Sequence, residues 1–321
     1  MPMSIDPPPR VSVVLPTHNR LALFQRALAS VLAQTVSDIE VLVIDNACTD
    51  GTSEYLAQIG DARVRTVRLD TFSGVSEARN AAIALARAEL LAFQDDDDIW
   101  LPDKLDKQIA CLDASADDVG LCLAGYIRLV PQGLRNCFRD QDFAEVDFSR
   151  VRGLVSMGAI ATPAWLVRTQ LVRELGGFDV LMPARNDWEL ALRLSDVCRF
   201  VYLPEPLFIQ DQRHVTSMAG NEQRVVAGVR RILDKHGARW AAQPSSLAYF
   251  HYVIGRYELT CGDKQRGYDA LRKALQIRPG LLAARLLLLA SRVGGESTVR
   301  QLRQWRQALR RLHWSTKTHR G

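Results

Sequence analysis

Leu90-Leu91-Ala92-Phe93-Gln94-Asp95-Asp96-Asp97-Asp98 is the stretch on which the reading of this chain turns. A short apolar run bounded by charge reads as a buried strand that reaches the surface at its carboxyl end. Carboxylates crowded at such a mouth raise one another's pKa and resist ionisation. A hard divalent cation, Mg2+ or Mn2+, relieves that repulsion through oxygen ligands. The plainer alternative is an acidic cap for the helix expected to begin at Trp100-Leu101-Pro102-Asp103-Lys104, since acids favour helix N-termini.

Upstream, strand and helix signals alternate. Val11 to Leu15 reads as a strand stopped by Pro16. Leu21, Phe24, Leu28, Val31 and Leu32 then form an apolar stripe at helical spacing, with Asn19 as its cap. Ile39 to Ile44 is a second strand ending at Asp45. Thr52 to Ile59 reads as a helix, Val64 to Leu69 as a third strand, and Glu77 to Arg87 as an alanine-rich helix. Short strands joined by helices predict crossovers and a mostly parallel sheet. In such sheets ligands bind outside the carboxyl ends of the strands. Pro16-Thr17-His18-Asn19, Asp45-Asn46 and the aspartate run all fall there, so one crevice lined by the three is expected. There is no GxGxxG and no Walker pattern, which disfavours Rossmann-type dinucleotide and P-loop chemistry.

The 321 residues suffice for one large or two smaller domains, and 47% hydrophobic with 24% charged residues is ordinary for a globular protein. The net charge of +5 is concentrated after residue 290, where Arg292, Arg300, Arg303, Arg306, Arg310, Arg311, Lys317 and Arg320 are opposed only by Glu296. A solvated helix face is the ordinary reading of such a run, and nucleic-acid binding is not expected. Leu302, Trp305, Leu309 and Leu312 recur at helical spacing among these arginines. That pattern suits either a peripheral membrane contact or docking onto the preceding helices. The six cysteines include no CxxC pair, and the proline-rich residues 1–10 lack a signal-peptide core. Both features point to a reducing, cytoplasmic setting, with the inner face of the membrane as the peripheral alternative.

Taken together, Pro16-Thr17-His18-Asn19-Arg20, Val43-Ile44-Asp45-Asn46-Ala47-Cys48-Thr49-Asp50-Gly51-Thr52, Ala78-Arg79-Asn80, Phe93-Gln94-Asp95-Asp96-Asp97-Asp98, Gly176-Gly177-Phe178-Asp179 and Asn186-Asp187-Trp188-Glu189-Leu190 resemble the successive signatures of family 2 glycosyltransferases. The resemblance covers roughly residues 10 to 215 and implies the GT-A fold and inverting transfer from a nucleotide-diphosphate sugar. Asp45 matches the family's base-reading aspartate. A carboxylate only accepts hydrogen bonds, which suits a base with an N–H and favours UDP- or dTDP-sugars. Pro16, Thr17, Asn19 and Arg79 match positions lining the nucleotide pocket; the alternative for Arg79 is a solvated helical arginine. Asp95 and Asp97 match the DXD pair, Asp97 as direct metal ligand and Asp95 reaching the ribose or the ion, with Asp96 between them and Asp98 in support. Asp187 matches the catalytic base, with Glu189 as competitor. His214, in an Arg-x-His segment, is a third candidate metal group, and Trp165 is either a sugar-stacking platform or core. Asn46 and Asn186 depart from the acids common in the family at those positions.

The expected organisation is an N-terminal arm (1–10), a GT-A catalytic domain (11–220) and an all-helical C-terminal region (221–321). Residues 248–281 fit one tetratricopeptide-like repeat followed by the basic tail. The expected function is metal-dependent hexosyl transfer to a glycan or lipid-linked acceptor in cell-surface glycan synthesis. Homo-oligomerisation stays open. Two rivals are weighed: a sugar nucleotidyltransferase, disfavoured by the absence of glycine in Pro16-Thr17-His18-Asn19-Arg20, and a non-catalytic nucleotide-binding scaffold with a helical interaction module.

Overall fold

A computed structural model describes residues 7–131, 133–136, 160–213, 222–241 and 243–291. The chain divides into two compact units, residues 1–182 with 186–217, and residues 183–185 with 218–321. The first is built on a nine-stranded mixed sheet.

Its amino-terminal half follows the alternation in the sequence. Strands β1 (Val11–Thr17), β2 (Ile39–Asn46), β3 (Val64–Leu69) and β4 (Leu90–Phe93) are interleaved with helices α1 (Leu21–Leu32), α2 (Thr52–Ala57) and α3 (Val75–Leu85). The strands lie in the order β3-β2-β1-β4, all parallel. Every residue of β1 and β2 is buried, as expected of central parallel strands covered on both faces.

Strand β1 runs two residues beyond the predicted stop. Val14 accepts from the Gln94 N–H, so even-numbered residues of β1 turn their backbone groups toward β4. The β1–β4 pairing ends at Val14 and Phe93. The N–H that Pro16 lacks therefore has no ladder partner to lose, and proline is tolerated inside a central strand.

The carboxyl-terminal half of the sheet is mixed, and its strands were not assigned from the sequence. A two-residue β5 (Ile99–Trp100) leads into α4 (Lys104–Asp113). It is followed by β6 (Val119–Val130), β7 (Gly133–Asn136), β8 (Trp165–Arg168), α5 (Thr169–Glu174), α6 (Asn186–Leu194) and β9 (Arg199–Asp211). Strand β8 runs antiparallel between β4 and β6, while β6 and β9 are parallel, with register shifts. Trp165 is fully buried, lies edge-on to Phe93, stacks with Phe178 and donates to the Ile160 carbonyl, so it belongs to the core.

The described residues of the second unit are mostly helical: α7 (Glu222–His236), α8 (Pro244–Thr260) and α9 (Lys264–Ile277), with further helix at residues 282–291. Helices α8 and α9 approach closely at Gly255 and Gly267. A Cβ on Gly255 would lie 2.7 Å from Leu271, and one on Gly267 would lie 2.7 Å from Leu259. Arg230 on α7 pairs with Glu258 on α8 at 2.6 Å. Among the described residues no helix is long and apolar enough to cross a membrane. The predicted amphipathic stripe from Leu302 to Leu312 lies outside the described residues.

Lys104, in the first turn of α4, is wholly buried and has no carboxylate partner among the described residues. Its Nζ donates to Gln108 Oε1 at 2.6 Å and sits 4.1 Å from the centre of the Trp100 ring. Burial pushes its pKa down to about 7. Above pH 7 the folded protein holds Lys104 neutral while the unfolded chain still binds the proton, so this group makes stability rise with pH. The protein is expected to gain stability between pH 7 and 9, and Lys104→Met should remove that gain, as read from urea midpoints across the range.

Candidate active site

The site is the carboxyl-terminal rim of the parallel strands. Thr17, Asp45 and Arg68 stand side by side in register at the ends of β1, β2 and β3. The turn after β4 brings the four aspartates to the same rim, because Thr17 Oγ1 donates to Asp96 Oδ2 at 3.0 Å. Asp45 and the aspartate run therefore share one edge, as the sequence predicts.

Each aspartate of the run has a different environment. Asp95 is the most exposed and accepts from Arg79 Nη2 at 2.5 Å. Asp96 takes Thr17 and one contact from Arg20 Nη1, and Asp97 takes the other, both at 3.0 Å. Asp98 is buried; its Oδ1 accepts from the Asp211 N–H at 3.1 Å, and its Oδ2 has no hydrogen-bond partner. The turn is thereby tied to the end of β9, where Asp211 pairs with Arg26 of α1 and with Arg213.

Burial is the largest cause of the raised pKa values at Asp96, Asp97 and Asp98, and repulsion from neighbouring aspartates adds to it. Asp97 is pushed up to about 7 even with Arg20 beside it. These are hard oxygen donors short of positive charge, a set that suits a divalent cation. Among the described residues no group of three or more His, Cys, Asp or Glu side chains is placed to hold a metal ion, so an ion here would draw most of its ligands from a bound molecule or water.

Asp45 behaves differently. Burial pushes its carboxyl up, but bonds from Ser53, Cys48 and Arg68 hold it below the usual range. It is 1% exposed and accepts from the Cys48 N–H at 2.8 Å, Ser53 Oγ at 2.5 Å and Arg68 Nη1 at 2.7 Å. Both its oxygens already accept, and a base N–H reaching it would add to these contacts or exchange with one of them.

The expected helix cap is reassigned. Asn19, with φ of 52°, does not cap α1; its Oδ1 accepts from the Thr49 N–H at 2.7 Å. Asp50 instead accepts from the Leu21 N–H at the start of α1 and from Thr52 at the start of α2. Asn19 thus joins the β1 and β2 loops, which a turn residue able to adopt positive φ does well.

Arg79 is 4% exposed, which removes the solvated-arginine alternative. Its guanidinium lies 5.2 Å from the centre of the Phe178 ring. The adjacent Asn80 accepts from the Phe178 N–H and donates to the Phe178 carbonyl, both at 2.8 Å. Gly177 has φ of 70°, and a Cβ there would lie 2.4 Å from Asn80 Oδ1. Ala78-Arg79-Asn80 and Gly176-Gly177-Phe178-Asp179 are therefore two halves of one joint.

Asp187 lies in the first turn of α6, half-buried. Asn186 Nδ2 donates to Ser76 Oγ at 3.0 Å, tying this turn to the first turn of α3, which also carries Arg79. Glu189 is fully buried and grips Arg193, which bonds the Leu175 and Gly177 carbonyls. Glu189 is thus a structural ion pair rather than a rival base. His214 lies outside the described residues.

Arg20 and Arg68 are the site groups that the sequence reading did not single out. Arg20 closes the first motif and faces an uncompensated acid run. Arg68 occupies the strand-end position in register with Asp45. Matching cations to each rim carboxylate would have pointed to both.

Residues 12–138 match the family model described as glycosyl transferase family 2. The chain is 32% identical over 182 residues to the succinoglycan biosynthesis protein ExoO of Rhizobium meliloti, covering 57% of this chain and 49% of that protein. It is 33% identical over 102 residues to WfgD of Escherichia coli, a UDP-Glc:alpha-D-GlcNAc-diphosphoundecaprenol beta-1,3-glucosyltransferase, covering 32% and 41% of the two chains. The chain thus spans half or less of the length of these relatives. The structure of S. aureus TarS 1-349 in complex with UDP-GlcNAc superposes with a TM-score of 0.64 at 19% identity, covering 93% of this chain and 92% of that one, a likeness of fold.

Because Asp97 is raised, this group is expected to take stability from the metal-free protein as pH climbs from about 4 to 7, the span between its unfolded and folded pKa values. Asp97→Asn should raise the melting temperature of metal-free protein at pH 8, by about 2–4 °C for each kcal/mol relieved. The gain should vanish below pH 4, and scanning calorimetry at both pH values tests this.

Proposed function

Because the chain belongs to glycosyl transferase family 2, we propose that it transfers a sugar from a nucleotide-diphosphate donor to an acceptor hydroxyl, inverting the anomeric centre with the help of Mn2+ or Mg2+. UDP- or dTDP-sugars are the favoured donors. The acceptor is a growing cell-surface glycan or a lipid-linked saccharide, consistent with the succinoglycan role in the name of ExoO and the diphosphoundecaprenol acceptor in that of WfgD. The observation that carries the reading is the meeting of Thr17, Asp45, Arg79 and the aspartate turn on one strand-end rim, with carboxylates left short of positive charge.

In this reading Asp45 accepts from the base N–H, and Pro16, Thr17, Asn19 and Arg79 line the nucleotide pocket. Asp95 and Asp97, the two more exposed members of the run, face the donor diphosphate. A divalent cation held by Asp97, with Asp95, would neutralise charge on the departing nucleoside diphosphate. Asp187 takes the proton of the attacking hydroxyl, so the sugar passes in one displacement with no enzyme-bound intermediate. The Asn186–Ser76 bond holds the turn that carries this base. Residues 11–220 are the catalytic domain. Residues 221–321, with a tetratricopeptide-like repeat at 248–281, serve assembly or acceptor handling.

Calorimetric titration of UDP is expected to show binding that depends on Mn2+; binding that ignores the metal, or none, would overturn the site assignment. Asp187→Asn should leave UDP affinity within about twofold while slowing transfer by about 10²–10⁴, the worth of a positioned base. A collapse of UDP affinity in that variant would move Asp187 into the donor pocket.

A further inference from the structure

Arg20 bridges two carboxylates with a single nitrogen. Its Nη1 lies 3.0 Å from Asp96 Oδ1 and 3.0 Å from Asp97 Oδ2, and the side chain is about three-quarters buried. Asp96 is held independently by Thr17 Oγ1 and more loosely by the His18 N–H at 3.4 Å. Arg20 stands immediately before α1, whose first N–H is capped by Asp50, so the backbone is anchored while the long side chain extends across the rim.

Asp98 Oδ2 is buried with no hydrogen-bond partner, and so is Arg79 Nε on the other side of the turn. Arg79 is committed to Asp95. Among the described residues Arg20 is thus the cation paired with Asp96 and Asp97, and it stands at the carboxylate proposed above as the metal ligand. A guanidinium and a divalent ion cannot both sit against one Asp97 oxygen without strong repulsion between like charges.

We infer that Arg20 is a built-in counter-ion: it occupies Asp97 while no divalent cation is bound, gives that carboxylate up when one arrives, and then meets the donor diphosphate. The inference rests on the metal-dependent reading above and assigns Arg20 a role in it. Arginine suits both positions, since its planar fork serves carboxylate and phosphate alike. The exchange links the two ligands. Metal binding alone works against the Arg20–Asp97 pair, whereas binding with the diphosphate gives the displaced guanidinium a new partner. Metal and nucleotide should therefore favour one another.

The test compares Mn2+ affinity of wild type, Arg20→Gln and Arg20→Lys as full chains, by electron paramagnetic resonance of free Mn2+, with melting curves to confirm folding. Removing a competing unit charge should tighten Mn2+ binding without nucleotide by about tenfold or more in Arg20→Gln. Arg20→Lys, which keeps the charge, should stay near wild type. The same Arg20→Gln protein should bind UDP in saturating Mn2+ about tenfold more weakly, having lost a charged contact to phosphate. Mn2+ affinity that is unchanged or weaker in Arg20→Gln, while wild type still binds UDP in a metal-dependent way, overturns the counter-ion role and leaves the proposed function standing. Failure of wild type and both variants to bind Mn2+ overturns both.

Discussion

Charge compensation at the end of β4 is the constraint on which the rest of the site depends. Four consecutive carboxylates leave a buried strand, and each must be answered by something from elsewhere in the chain. Arg79 arrives from α3, Arg20 from the loop before α1, Thr17 from the end of β1, and the Asp211 N–H from the end of β9. The turn therefore gathers segments far apart in sequence around one point. A hydrophobic core alone would not specify their arrangement at the rim, because apolar burial is non-directional.

Acid is handled in opposite ways at Glu40 and in the aspartate run. At the amino-terminal edge Glu40 is equally buried, but Ser12, Arg65, Arg87 and the Arg87 N–H all serve it. Although burial pushes its pKa up, these partners hold it below the usual range. That is an ion pair that completes itself. At the carboxyl-terminal edge Asp96 and Asp97 stay raised despite Arg20, and burial raises Asp98 as well. Glu40 is satisfied by its own neighbours, whereas the aspartate run is left under-compensated at a strand-end rim, where a ligand can complete it. The contrast separates the two within a single sheet, without appeal to any relative.

How far this was legible in the sequence follows the range of the interactions involved. The β1 to β4 half could be read because each element announces itself locally, through an apolar run of strand length or a stripe at helical spacing. The mixed half could not. Strands β6 and β9 are long, irregular in register and paired with partners far along the chain, and β8 reverses direction between β4 and β6. Nothing local encodes that pairing. In the site, acids were easier to find than their counter-ions. An aspartate run is visible as a run, whereas Arg68 matters only because strand register puts it beside Asp45, and Arg20 only because a turn folds onto it.

The family signatures gain a physical meaning once their contacts are known. Asn80 holds Phe178 by both backbone groups, and Gly177 is the residue that lets it come so near. Phe178 in turn packs against Arg79, the partner of Asp95, so a motif remote from the aspartates in sequence sets the position of a charge beside them. Asp50 and Asn19 do the same for the first two loops: each bonds across from one loop to the next, fixing Thr17 relative to Asp45. Much of what reads as a string of separate signatures is thus a set of braces between loops. Loops at a strand-end rim have no sheet ladder to hold them, and side-chain bonds to backbone N–H groups are the means by which such loops keep a fixed geometry. The chemistry proposed for this rim needs that fixity more than it needs any single brace, because a misplaced carboxylate would hold its charge in the wrong place.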